Sequence, residues 1–187
     1  MAPPNDPAPA ALIDRTIVLV GMMGAGKTAI GKRLAATLGW PFEDADAAIE
    51  AAAGTTIAEI FAEIGEAAFR EKERQVIARL LAGQRQVLAL GGGAFMDPQT
   101  RSLVRERACS VWLRADLDAL VRRTGRRGTR PLLARGDPRA TLARLLEQRG
   151  PTYAEADIVV DSSKGPLNAV VERVLDALAG RGNGAAP

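Results

Sequence analysis

Five short runs of apolar or β-branched residues recur along the chain: TIVLV (16–20), WPFED (40–44), QVLAL (86–90), CSVWL (109–113) and DIVVD (157–161). Each is the length of a buried strand, and the segments between them follow a different period. In TTIAEIFAEIGEAAFREKERQVIARLL, Ile57, Ile60, Phe61 and Ile64 recur at three- and four-residue steps. Phe69, Val76, Ile77, Leu80 and Leu81 continue on a similar face, with Gly54 and Gly65 as breaks between successive helices. PLNAVVERVLDALAG predicts a closing helix that starts at Pro166 and ends at Gly180. Strands alternating with helices imply an α/β fold whose parallel sheet is covered on both faces. Ligands of such folds gather beyond the carboxyl ends of the strands.

Composition narrows the chemistry. A chain of 187 residues, 47% hydrophobic and 25% charged, is expected to form one domain over 14–179. The Pro/Ala-rich leader (1–13) and GRGNGAAP (180–187) read as disordered ends. The leader lacks the basic and apolar regions of a signal peptide, and no apolar run reaches the roughly 18 residues of a membrane span. The expectation is therefore a cytoplasmic protein, with the single Cys109 as a small buried hydrophobe. With no histidine, proton transfer falls to Asp, Glu, Lys, Tyr or water, and a Ser-His-Asp triad is excluded. The net charge of +3 hides an uneven distribution, because RRTGRRGTRPLLARG (122–136) holds six arginines and no acid. No aromatics interleave with those arginines to stack on bases, which argues against a nucleic-acid partner.

GMMGAGKT fits G-x-x-x-x-G-K-[ST], with Gly21, Gly26, Lys27 and Thr28 and an additional Gly24. It follows the strand TIVLV and opens a helical pattern, the context that a phosphate-binding P-loop requires. Backbone N–H groups of such a loop turn inward around phosphate oxygens, and the helix N-terminus adds positive potential. Lys27 is placed to reach the β- and γ-phosphates, and the Thr28 hydroxyl to ligate Mg²⁺. The nucleotide-binding stretch is read as Gly24, Ala25, Gly26, Lys27, Thr28 and Ala29. No N-K-x-D guanine-reading motif occurs, so the rest of the chain should describe an acceptor other than water.

FEDADAAIE (42–50) places Asp44 and Asp46 two positions apart at the end of the second strand, pointing the same way if the chain is still extended. Asp46 as a helix cap and Asp44 as a solvated strand-end charge is one reading. Beside a Mg-nucleotide, one carboxylate can instead accept from metal-bound water while the other orients or deprotonates an acceptor hydroxyl. Gly91, Gly92 and Gly93 follow the strand VLAL and allow a close backbone approach to a small ligand. Arg70 and Arg149 supply forks suited to a carboxylate. These residues point to a kinase of a small hydroxylated acceptor.

The ordered set GMMGAGKTAIGK, FEDADAAIE, IFAEIGEAAFREKE, LALGGGAF, RRTGRRGTRPLL and QRGPTYAEAD resembles the shikimate kinase family over roughly residues 15 to 178. The resemblance implies a three-layer P-loop fold, its five-stranded parallel sheet in order 2-3-1-4-5, with a mobile lid at about 122–136. It also implies transfer of the ATP γ-phosphoryl group to the 3-hydroxyl of shikimate, on the way to chorismate and the aromatic amino acids. Carried onto this sequence, Asp46 binds the ring hydroxyls and serves as the base, and Asp44 supports Mg²⁺ through water. Arg70 and Arg149 clamp the carboxylate, and Gly91, Gly92 and Gly93 donate backbone contacts. Arg130 in the lid reaches the transferring phosphate, while Arg123, Lys164 and Pro166 flank the adenine. The implied partners are ATP and shikimate alone, and the implied state is a monomer.

Ala29 stands where a hydroxyl residue is common after the P-loop Ser/Thr, and GRRGT makes the lid unusually basic. Two rivals share parts of this pattern. A gluconate-type carbohydrate kinase would carry the P-loop and lid, but it is not expected to have the GGG run with both arginines. A non-catalytic nucleotide-binding module should have lost Lys27, Asp46 or Arg130, and all three are present.

Overall fold

The computed structural model describes residues 14–125 and 137–182. Five parallel strands form one sheet in the order β2-β3-β1-β4-β5, as the resemblance implied. The central strand β1 (Thr16–Val20) is buried along its whole length between β3 (Val87–Ala89) and β4 (Ala108–Arg114). That is why it reads as a continuous aliphatic run from Ile17 to Val20 rather than an alternating one. β2 (Phe42–Asp44) and β5 (Ile158–Asp161) form the two edges. The helices are α1 (Lys27–Leu38), α2 (Ala45–Ala53), α3 (Ile57–Ala82), α4 (Pro98–Arg107), α5 (Leu117–Gly125), α6 (Pro138–Tyr153) and α7 (Leu167–Gly182).

The predicted breaks fall where expected. Gly54 ends α2 with its N–H on Glu50 O at 2.8 Å. Gly65 (φ 77°, ψ 174°) kinks α3 into two helical segments. Thr56 opens α3 with a reciprocal capping box to Glu59.

Some boundaries differ from expectation. The second strand starts at Phe42, because Trp40 and Pro41 lead into it and proline has no N–H for the ladder. Pro166 lies just before α7, and the helix runs through Gly180 to Gly182. Cys109 is half-buried against the core edge instead of fully enclosed. Residues 122–125 of the expected lid form the last turn of α5, while 126–136 lie outside the described residues, as do 1–13 and 183–187.

A main core spans the sheet and its covering helices, and a satellite cluster of Ile49, Ile60 and Phe69 lies beneath α2 and α3. Asp44 of β2 stands in register with Ala89 of β3, and Leu19 of β1 with the same Ala89. The loops leaving these three strands therefore emerge side by side at one end of the sheet.

Candidate active site

The loop leaving β1 is wrapped tightly. Gly24 adopts φ 83°, and a Cβ there would come within 2.9 Å of Thr124 Cγ2 on α5, so both backbone and space demand glycine. Lys27 lies across the loop, with Nζ donating to Gly21 O at 2.8 Å and Met22 O at 3.0 Å. Its ammonium is thus held over the ring of N–H groups where phosphates would sit. Thr28, in the first turn of α1, donates its hydroxyl to Asp44 Oδ2 at 2.8 Å. Ala29 is exposed beside it.

The two acids divide differently from the local expectation. Asp44, not Asp46, is the helix cap, its Oδ1 accepting from Asp46 N at 3.1 Å and Ala47 N at 3.4 Å. The chain has left the strand by then, so the two side chains do not share an extended face. Asp46 sits in the first turn of α2, and a Cβ on Gly91 would collide with its Oδ1. Asp44 therefore faces Thr28 and Asp46 faces the glycine run.

That run is gripped from both sides. Arg149 Nη1 donates to Gly92 O at 3.1 Å, and the Tyr153 hydroxyl donates to the same carbonyl. A Cβ on Gly93 would lie 2.6 Å from Arg70 Nη2. Gly91 O accepts from Ala94 N and Gly93 O from Met96 N, so all three carbonyls are engaged. What the run offers an acceptor is its N–H groups.

Two residues here escaped the sequence reading. Glu73, only 3% exposed, pairs with Arg70 at 2.6 Å, one helical turn further along α3. Burial pushes its carboxyl above the ordinary range, opposed by Arg70 and reinforced by the charges of Asp46 and Asp97. Tyr153 is completely buried and stacks on Trp112 with ring centroids 5.9 Å apart. Burial raises its phenol, and Arg149 opposes the shift. The three-residue step from Arg70 to Glu73 was a usable signal for an ion pair, whereas nothing in the local pattern marks Tyr153.

On the other flank Arg123 donates to Gly24 O (3.4 Å), Ser162 O (2.6 Å) and Ser163 O (3.3 Å), joining the P-loop to the loop after β5. Lys164 and Pro166 are exposed on that loop. A cavity of about 580 Å³ at the ends of β4 and β5 shares Ser163 and Lys164 with it and is further lined by Trp112, Asp116 and Gly150. Arg130 lies outside the described residues.

The Thr28 hydroxyl and Asp44 carboxylate offer two hard oxygen donors beside the phosphate cradle. Among the described residues no group of three or more His, Cys, Asp or Glu could hold a metal. This donor set fits Mg²⁺, which keeps most of its waters and is carried largely by phosphate oxygens.

A phosphate loop and a separate acceptor crevice at the same end of a 2-3-1-4-5 parallel sheet define a P-loop phosphotransferase. A family model described as shikimate kinase matches residues 23–179. A shikimate kinase of Paramagnetospirillum magneticum is 58% identical over 166 residues, covering 89% of this chain and 85% of that one. The chain belongs to the shikimate kinase family. Among solved structures, shikimate kinase from Acinetobacter baumannii in complex with shikimate superposes with a TM-score of 0.87 at 36% identity, covering 94% and 98% of the two chains. A gluconokinase from Sinorhizobium meliloti shares the fold, with a TM-score of 0.63 at 22% identity over 91% and 94% of the chains.

Proposed function

We propose that the protein transfers the γ-phosphoryl group of ATP to the 3-hydroxyl of shikimate, giving shikimate 3-phosphate and ADP. One observation carries the reading. Asp46 abuts Gly91 while Arg149 and Arg70 abut Gly92 and Gly93, so a hydroxyl-binding acid and two carboxylate-binding forks surround one short run of backbone. An acceptor bearing a carboxylate at one end and hydroxyls at the other matches that order, and gluconate lacks the rigid ring that would span it.

In this reading Arg70 and Arg149 hold the carboxylate, and the N–H groups of Gly91, Gly92 and Gly93 fix the ring. Asp46 holds the proton of the attacking hydroxyl and takes it as the bond to phosphorus forms. Lys27 and the N–H groups of residues 24–29 receive the phosphates. Bound Mg²⁺ would neutralise charge between the β- and γ-phosphates, held by Thr28 directly and by Asp44 through water. Arg130, Arg123, Lys164 and Pro166 keep the nucleotide roles that the family resemblance gives them. Cytoplasmic location and a monomeric state belong to the same reading.

The test is ADP release from Mg-ATP with shikimate, with gluconate and with no acceptor. Turnover confined to shikimate is expected. Turnover with gluconate in its place, or ATP binding without turnover on either acceptor, would overturn the assignment.

A further inference from the structure

The three carbonyl contacts of the glycine run explain what holds Gly91–Gly93 from the front, but not what holds the chain behind it. The segment that follows, Ala94–Met96, is a single 3₁₀ turn, too short to be self-supporting. Arg101, from the first half of α4, reaches back to it. Its Nη1 donates to Phe95 O and to Met96 O, both at 2.9 Å. The same guanidinium turns its Nε toward Glu155 Oε2 at 3.2 Å. Glu155 lies two residues beyond Tyr153 and six beyond Arg149, the two side chains that grip Gly92 O.

Arg101 is therefore the point at which the two walls of the acceptor crevice are tied together from behind. Its side chain is 17% exposed, so its bonds to the two carbonyls are largely removed from solvent, while Glu155, 43% exposed, leaves the ion pair partly screened. Arg105 also approaches Glu155, at 3.6 Å, but it is 68% exposed and reaches neither carbonyl.

We propose that Arg101 is a positioning residue for the acceptor half of the site, setting the separation between the glycine run and the Arg149–Tyr153 end of α6. Phe95 is buried, and losing the guanidinium would remove the donor its carbonyl shares with that of Met96. The turn must then move to find other donors, and the glycines move with it. A displacement of about 1 Å is enough to change rates by about 10²-fold when reacting groups are involved. Here the displaced groups hold the non-reacting part of the acceptor, so the effect belongs mainly in KM.

The kinetic arm rests on the acceptor reading above; a second arm does not. Arg101→Met keeps the apolar stem of the side chain and removes every side-chain hydrogen bond. It is expected to raise the acceptor KM about tenfold, with kcat and the KM for ATP changed by less than about threefold. Glu155→Gln, at a half-exposed position, keeps both carbonyl bonds and weakens only the link to α6, so a rise of about threefold is expected. Arg101→Lys should fall between wild type and Arg101→Met. Hydrogen exchange of the amides in 91–96 and 150–156 should quicken together in Arg101→Met, whatever the acceptor.

If wild type ignores shikimate while the two segments still loosen together, the acceptor reading fails and the tie stands. Unchanged exchange in either segment, or an ATP KM that rises as much as the acceptor KM, overturns the proposal. Should Arg101→Met not fold, an acceptor KM unchanged in both Glu155→Gln and Arg101→Lys has the same force.

Discussion

Glu73 carries its negative charge into a nearly closed site, with Arg70 as its counter-ion at 2.6 Å and Asp46 and Asp97 adding repulsion. Desolvation outweighs the attraction, so the folded state holds this proton more tightly than the unfolded chain does. The sign follows from linkage. A folded value above the unfolded 4.5 gives stability that is full below 4.5 and is lost as pH rises through the folded value. Glu73→Gln preserves volume and removes that dependence. Relative to wild type, the variant should gain stability as pH is raised above the ordinary carboxylate value of 4.5 and through the raised value of Glu73. Thermal melts across that range measure it, and a difference that stays flat with pH contradicts the account. The same variant turns the ion pair into a neutral hydrogen bond and leaves the exposed Glu66, at 3.6 Å, as the ionic partner of Arg70, so a weaker hold on the acceptor should accompany the altered pH profile. Why keep a carboxylate there at all? A partnered guanidinium has one preferred position, and the partner supplies that position at some cost in stability.

At the scale of elements, the kink in α3 decides where Arg70 can sit. The segment before Gly65 brings Phe61, and the segment after it brings Phe69, so that their rings meet with centroids 4.3 Å apart. The Arg70 guanidinium lies over both, 5.8 Å and 5.3 Å from the centroids. Gly65 has nothing within 4 Å of a potential Cβ, so space does not require glycine, but φ 77° with ψ 174° does. Gly65→Ala should therefore cost about 1–3 kcal/mol. It should raise the acceptor KM and leave the ATP KM unchanged, because the P-loop stands on other elements. Equal effects on both substrates would show the kink to be a general stability feature instead. Gly54 and Gly65 were legible in the sequence because each interrupts a helical period. The Asp97–Pro98 start of α4 carries an equally readable cap-and-proline signal, whereas the ends of β2, β3 and α7 do not. Strand ends depend on which neighbour offers a partner, and a single glycine is a weak stop that does not end α7 before Gly182.

Over the whole molecule, the two halves of the site differ in how much of each the sequence discloses. The phosphate-binding part of the nucleotide half is one strand, one loop and one helix start, so spacing alone reveals it, whereas Arg123, Arg130, Lys164 and Pro166 come from elsewhere in the chain. The acceptor half is assembled from residues 46, 70–73, 91–93 and 149–153, brought together by strand order and helix packing. Its arginines became assignable through family resemblance, and contacts such as Tyr153 or Arg101 to backbone carbonyls leave no spacing signature. The glycine run is where the halves meet. None of its three residues has positive φ, so glycine is needed here for room rather than for backbone freedom. Each faces something different. A methyl on Gly91 would strike the Asp46 carboxylate, and one on Gly93 would press on Arg70 Nη2 at 2.6 Å. On Gly92 it would lie in ordinary contact with Arg149 Nη1 (3.5 Å) and with Gly21 O and Met23 N of the P-loop (3.7 Å each). Three alanine variants should then separate by kinetic parameter. Gly91→Ala displaces Asp46, the base in the proposed mechanism, and should lower kcat by about 10²-fold. Gly93→Ala moves the flexible tip of an arginine and should raise the acceptor KM by about tenfold with a smaller change in kcat. Gly92→Ala requires no neighbour to move and should show the smallest loss of the three. Steady-state kinetics with both substrates varied decides the matter: three equal losses, or a dominant loss at Gly92, would mean that the run acts as one rigid unit and that the division between Asp46 and the arginines is drawn in the wrong place.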